Sequence, residues 1–375
     1  MIDSIVSLIT QPIVLELLIT LVKIGFILGL TIGFFAPMLA WVERKQSAIM
    51  QDRVGANRAG VFGITVIGLL HSLADAIKLI FKEDFIPRGA ERGLHTLAPV
   101  IAIIPSLVVF AVIPFGGQYT LWGHEVNLVI ADLDVGLLYV FAIGSLATYG
   151  VVIAGWSSNN NWSLLGGLRA SAQMFSYEVT MGLTVIGLVM FYQSLSLVDI
   201  VAKQENFWHW GIIWHFPAFV LFLGCAVAEN KRVPFDAPEA EAELVAGYFT
   251  EYSGMKFVMF WTAEFLEMVS ISGMCVALFL GGHHIPFVTQ KFLLTAFGDL
   301  LGQDIGAVVV MLIGVGVFIT KLVILLVLQM TIRWTMPRFR YDQIMKLGWK
   351  MILPLSLCWI FLVGVGILTG VMPRP

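Results

Sequence analysis

Six carboxylates crowd one short stretch of this chain. Residues 229–254 contain Glu229, Asp236, Glu239, Glu241, Glu243 and Glu251, with only Lys231, Arg232 and the adjacent Lys256 to offset them. Carboxylates at close spacing repel one another, so some of them take up protons near neutral pH and can pass them on. Part of the pattern has a purely structural reading. Asp236 with Glu239 three residues on resembles a capping box, Pro238 suits a first helical turn, and acids there complement the helix dipole. That accounts for two acids and leaves four. On a helix Glu239 and Glu243 would share a face and Glu241 would point elsewhere.

Other charges stand inside apolar runs, where each costs about 2.5–3.5 kcal/mol to insert into a bilayer. Glu264 and Glu267 are three apart and share a helix face, Glu178 and Glu229 sit at the edges of apolar stretches, and Lys321 interrupts another. Lys23 can snorkel and helix-end acids can be solvated. Glu264 and Lys321 are harder to explain that way, and a proton or ion route is the default reading for them.

The elements that must hold these groups follow from composition. Of 375 residues, 58% are hydrophobic and only 13% charged, with a mean hydropathy of +0.89. Soluble domains average about 25% charged residues, and a single core stops growing at about 250–300 residues. A water-soluble enzyme, a nucleic-acid binder and a disordered scaffold are excluded. The pattern predicts an all-α polytopic membrane protein, one membrane domain over residues 1–375. Stretches of about 20 apolar residues place eight spans at 13–42, 97–115, 135–156, 179–198, 210–228, 257–282, 305–332 and 351–372. The connections 43–93, 157–170, 229–256 and 333–350 hold 17 of the 22 Lys and Arg residues. By the positive-inside rule they face the cytoplasm, and both termini face away from it. No signal or transit sequence is apparent at the N-terminus, so the first span is expected to direct insertion.

Within the first connection, His71, Asp75, Lys78 and Lys82 recur at steps of four, three and four, with apolar residues around the rest. This predicts an amphipathic helix over 64–82, lying at the interface rather than crossing it. It is either a surface anchor or the roof of a cavity.

Redox machinery is not evident in this chain. Cys225, Cys275 and Cys358 are single and far apart, which argues against a disulfide framework, a metal site or an iron–sulfur cluster. The seven histidines lie mostly in connections or at span ends, not as facing haem ligands, and there is no Walker loop or dinucleotide fingerprint. No metal and no bound cofactor is expected.

Several motifs, in order and over nearly the whole chain, nevertheless match one family. They are Glu43-Arg44-Lys45, Gln51-Asp52-Arg53-Val54-Gly55 with Asn57-Arg58, Ala74-Asp75-Ala76-Ile77-Lys78 with Lys82-Glu83, Gly155-Trp156-Ser157-Ser158-Asn159-Asn160, Arg169-Ala170, Gln173, Ser176-Tyr177-Glu178, the acidic segment, and Pro337-Arg338-Phe339-Arg340-Tyr341-Asp342. The chain resembles the H subunit of NADH:quinone oxidoreductase, the membrane component of respiratory complex I that joins the quinone chamber to the proton-pumping arm. The resemblance implies a bacterial inner membrane and partners of two kinds, the hydrophilic quinone-junction subunits and other membrane subunits. Flavin and iron–sulfur centres would lie in partner subunits, with quinone as substrate. It implies that Arg44, Arg53, Asp75, Lys78 and Arg338 shape the quinone tunnel, that Glu178, Glu229, Glu239, Glu241, Glu243, Glu251 and Glu264 form a proton-coupling path, and that Arg232 and Asp236 order the acidic loop. In places the sequence departs from the family pattern. Gly-Pro-Asn-Arg reads Gly55-Ala56-Asn57-Arg58, Gln-Pro before the Ala-Asp pair reads His71-Ser72, and the stretch His283–Asp304 is long. Competing readings are a related quinone- or hydrogenase-linked membrane subunit and, from another class, a stand-alone proton-coupled transporter. The internal repeats and matched broken helices usual in transporters are not seen here.

Overall fold

Backbone N–H and C=O groups in a bilayer find no water, so a chain this apolar satisfies them within helices. A computed structural model describes residues 12–60, 63, 65–238 and 241–372. Among these, seven helices are long and apolar enough to cross a membrane. They are α1 (Glu16–Met50), α3 (Arg92–Ala111), α4 (Gly136–Ser157), α5 (Asn161–Tyr192), α7 (Gly254–Phe279), α9 (Gln303–Thr335) and α10 (Tyr341–Leu368). Between them lie α2 (Leu70–Phe81), the shorter apolar α6 (Phe216–Glu229) and α8 (Gln290–Leu301). Seven spans therefore stand in place of the eight expected by that criterion. The stretch 210–228 folds as two pieces, Gly211–Trp214 and α6, separated at His215 with Pro217 in the first turn of α6. At 14 residues α6 is about 21 Å long, short of a hydrocarbon core of about 30 Å.

Helix ends also depart from the apolar windows, because hydropathy marks lipid contact and not hydrogen bonding. α1 runs to Met50, so Glu43, Arg44 and Lys45 occupy its last turns rather than a loop. α5 begins at Asn161, 18 residues before the expected start at 179. The side chain of Asn160 caps it by accepting the Trp162 N–H at 3.0 Å. Glu178 thus sits in the middle of a 32-residue helix and does not open one. π-helical turns at Gly29–Phe35 and Gly348–Ile352 each end two residues before a proline, Pro37 and Pro354. A proline lacks the N–H and crowds the carbonyl four residues back, and a π turn is one way to accommodate it.

The amphipathic pattern of the first connection forms helix α2, shorter than expected. Thr65 opens a 3-10 turn in which Ile67 has a φ of 55°, and Ile64 lies outside the described residues. A two-stranded antiparallel hairpin, β1 (Gln118–Leu121) and β2 (His124–Asn127), modifies the all-α expectation. Its turn residues Trp122 and Gly123 have φ of 47° and 79°, the mirror-image turn that suits a tight hairpin. The long 283–304 stretch folds largely as α8, which turns back along α9. A Cβ on Gly306 would lie 2.7 Å from the Gly298 amide nitrogen, so the two helices meet backbone to backbone.

At the centre stands α7, with 94% of its most apolar stretch buried, against 11% for α1 at the periphery. That placement makes its two carboxylates tolerable, since they face protein and not lipid. α3 and α4 cross closely at Gly150, where a Cβ would stand 2.7 Å from the Ala102 backbone nitrogen. Small residues at such crossings let membrane helices pack without a hydrophobic driving force.

Candidate functional site

Three of the cavities that adjoin α7 carry acidic side chains, and residues three or four apart on that helix line each in turn. The first is a groove of about 1370 Å³ between α1, α2 and α7, bordered by Phe34, Pro37, Leu73, Leu79, Trp261 and Phe265, with Asp75 among its few polar residues. Arg44 Nη2 lies 2.5 Å from Asp75 Oδ2 and ties the end of α1 to α2. Ser72 Oγ donates to Pro37 O at 2.9 Å, and Trp41 Nε1 donates to Ile67 O at 3.1 Å. These ties keep the apolar face of α2 against the groove. An apolar volume with one charged pair at its edge suits a long apolar molecule with a polar head.

Trp261 also borders a second, polar chamber of about 740 Å³ lined by Arg232, Asp236, Phe249, Phe257, Glu264 and Arg333. Arg232 is its organising cation. Its guanidinium bonds Glu43 at 3.0 Å, reaches Glu264 at 3.7 Å, and lies 4.1 Å from the centre of the Phe265 ring. Arg333 bonds the other oxygen of Glu43 at 2.7 Å, and Tyr248 donates its hydroxyl to Glu264 at 3.0 Å. Arg338 holds Asp236, 3.6 Å from its carboxylate and hydrogen-bonded to its carbonyl.

One turn further along α7, Glu267 borders a third cavity of about 450 Å³ together with Glu178 of α5, Glu229 of α6, Ser106 and Ser270. The three carboxylates are near enough to interact electrostatically. Glu229 Oε2 is buried without a hydrogen-bond donor among the described residues. Lys231, next in the chain to Arg232, has its Nζ 3.4 Å from Glu267. Burial opposes its charge, yet Glu267, Glu264 and Glu229 together hold its ammonium above the ordinary lysine range. The sequence Lys231-Arg232 therefore divides its charges, with Lys231 directed to Glu267 and Arg232 to Glu43 and Glu264.

The other expected residues lie elsewhere. Arg53 is exposed and donates to Gln51 at 2.7 Å, and Lys78 is on the exposed side of α2. Neither lines the groove. Glu243 is half-exposed and paired with Arg169 at 2.6 Å. Glu251 accepts from Asn160 at 2.7 Å. Glu241 begins a one-turn helix, Glu241–Leu244, and Glu239 lies outside the described residues. Glu43, Lys231, Glu267 and Arg333 belong to the ion-pair network although sequence reasoning assigns none of them to it. The three-residue step from Glu264 is the signal for Glu267. Lys231 adjoins Arg232, whereas nothing local links Glu43 to Arg333, 290 residues away. Among the described residues, no three His, Cys, Asp or Glu side chains are grouped to hold a metal ion.

Comparison with known proteins bears on this arrangement. A family model described as NADH dehydrogenase matches residues 22–364. Among similar relatives, an NADH-quinone oxidoreductase H subunit of Syntrophobacter fumaroxidans, numbered 2 in that organism, is 44% identical, covering 94% of this chain and 96% of its own length. The H subunit numbered 1 of Geobacter metallireducens is 44% identical over 94% of this chain and 98% of its own length. The one numbered 2 of Rhizobium meliloti is 42% identical over 94% and 99%. With the match running nearly end to end and seven membrane-length helices in the fold, this polytopic chain belongs to the H-subunit family of NADH-quinone oxidoreductase.

Proposed function

We propose that this chain is the quinone-side membrane subunit of a proton-translocating NADH:quinone oxidoreductase, working as one membrane unit. It would bind quinone in the groove and couple its reduction to proton movement. The observation that carries the reading is the position of α7 as common wall of all three cavities. Trp261 and Phe265 border the apolar groove, Glu264 the charged chamber, and Glu267 the acidic cavity.

In this reading the groove takes the isoprenoid tail, with Arg44 and Asp75 toward its polar end. Reduction of a quinone to a quinol consumes two electrons and two protons, so charge changes next to the chamber that holds Glu264 and Arg232. Like charges as close as Glu178, Glu229 and Glu267, with Lys231 as the adjoining cation, cannot all be ionised in a medium of low dielectric. A change at Glu264 is felt through Arg232 and Lys231, and the trio answers by giving up or taking up a proton. Glu239, Glu241, Glu243 and Glu251 would form the cytoplasmic approach to this path, with Arg53, Lys78 and Arg338 around the tunnel mouth. Electrons would come from flavin and iron–sulfur centres in hydrophilic partner subunits docked on the cytoplasmic connections. Both termini would lie outside the cytoplasm in a bacterial inner membrane, α6 would serve as an eighth, shortened crossing, and α2 would lie at the interface.

The test is photolabelling of the intact, mildly solubilised complex with an azido-quinone. Label on α2 or on the Trp261–Phe265 turn of α7, competed away by unlabelled quinone, is the expected result. Uncompeted label, or recovery of the chain as a lone, transport-competent protein, would overturn the reading.

A further inference from the structure

The loop after α1 is fastened at two places to the start of α2, once at the 3-10 turn that leads into it and once within its first turn. At Gly68, where φ is +87°, a Cβ would stand 2.0 Å from Ala56 O, so backbone packs on backbone. At His71 the fastening is chemical. The backbone N–H groups of Arg58 and Ala59 both donate to His71 Nε2, each at 3.1 Å. An imidazole nitrogen that accepts carries no proton, and a doubly protonated imidazole has two donors and no acceptor. Both bonds therefore require neutral His71.

His71 does not border the groove, whereas its neighbours Leu70, Ser72, Leu73 and Asp75 do. The histidine holds the back of the helix whose front lines the cavity. Charged side chains on the elements that meet here are Asp52, Arg53 and Arg58 on the loop, Glu43, Arg44 and Lys45 at the end of α1, and Asp75 and Lys78 on α2. Several of these are otherwise engaged. Arg44 holds Asp75, Lys45 Nζ donates to Val54 O at 3.1 Å, and Arg53 bonds Gln51. Of the ties that fix α2, the His71 clamp is the one made by an imidazole nitrogen, which cannot hold a proton and accept these two N–H groups at once.

We propose that His71 is a positioning residue whose protonation releases the 56–59 loop from α2 and loosens the groove's hold on quinone. The quinone part rests on the function proposed above; the clamp does not.

The experiment measures both in the intact complex. Hydrogen exchange at Arg58 and Ala59, corrected for intrinsic rate, is followed at pH 7.5 and 5.5, alongside the KM for a short-chain quinone. Two lost hydrogen bonds correspond to about a tenfold fall in protection. In the parent, protection falls about tenfold at the lower pH and the KM rises severalfold with a smaller change in kcat. His71→Gln keeps an acceptor that does not titrate, so its protection and KM stay at the neutral-pH values at both pH settings. His71→Leu is unprotected at both. Equal protection in the parent and His71→Leu, or the same pH-dependent fall in His71→Gln, would overturn the clamp. Protection that follows His71 while the KM stays flat would instead overturn the reading of the groove as the quinone site.

Discussion

Replacing Arg232 by Met tests the ion-pair network at its most exacting point. The side chains of Arg232 and Glu264 are each only 6% exposed, so bulk water is a poor substitute for a missing partner. Removing one member of a buried pair costs about 3–5 kcal/mol because the remaining charge is left uncompensated. Here the loss falls unevenly. Glu43 keeps Arg333 at 2.7 Å, whereas Glu264 keeps no paired cation, only the Tyr248 hydroxyl at 3.0 Å and the field of Lys231. Arg232→Met should therefore cost about 3 kcal/mol or more, and adding Glu264→Gln should return most of it by removing the stranded charge. Arg333→Met should cost only about 1 kcal/mol, since Arg333 is partly exposed and Glu43 retains Arg232. The assay is graded heating of the purified complex, followed by the fraction of this chain still retained on a native gel. Quinone-linked turnover is read in parallel and should stay low in the double variant, because Glu264 itself is gone. An Arg232→Met complex as heat-resistant as the parent, or one that Glu264→Gln fails to restore, would refute the reasoning.

Glu178→Gln and Glu267→Gln should each lower quinone-linked turnover and proton pumping at least tenfold while activity with an artificial acceptor stays intact; unchanged pumping in both would exclude the acidic cavity from coupling. Burial, helped by neighbouring His284, pushes His283 down to about 3. Its neutral form contributes stability that is complete above the ordinary histidine range and is lost as pH falls, by at most about 1.4 kcal/mol per pH unit. The heat resistance of the complex should thus fall between pH 7 and 5, and His283→Gln should flatten that slope. Lys321 Nζ donates to the carbonyls of Leu280, Gly282 and His284 at 2.6, 2.9 and 2.6 Å, so Lys321→Met should cost about 3 kcal/mol in the same heating assay. Gly150→Val should prevent assembly, since its side chain would meet the Ala102 backbone, and normal complex yield would refute that close crossing.

Much of the architecture is legible in the sequence because lipid is an undemanding judge. Long apolar runs separated by charge must be helices, and each of the seven helices overlaps an expected span. Boundaries are less legible, since Asn160 and Pro217 act through local hydrogen bonding that hydropathy averages away. The consequence is largest for Glu178, which the apolar windows place at a helix start although it lies mid-helix beside Glu229 and Glu267. The acidic segment reads as one cluster, yet its members disperse. Glu229 turns into the acidic cavity, Asp236 borders the chamber, and Glu243 faces Arg169 near the surface. Spacing along a chain shows which charges could meet; which do meet depends on helices far apart in sequence, as the convergence of Glu43, Arg232, Glu264 and Arg333 illustrates.

The burial of α7 also bears on how the protein is made. Standing alone in a bilayer, a helix with Glu264 and Glu267 would carry about 5–7 kcal/mol of unfavourable insertion free energy. Their cationic partners Lys231 and Arg232 leave the ribosome some thirty residues earlier, whereas Arg333, the second partner of Glu43, emerges only with the far end of α9. α7 is thus a poor independent passenger and should leave the insertion machinery together with α6 and the loop that follows it. Until α9 arrives, Glu43 and Glu264 would have to share Arg232. A ribosome stalled between α7 and α9 should hold this helix beside the translocon rather than in lipid, a state that site-specific crosslinking can capture.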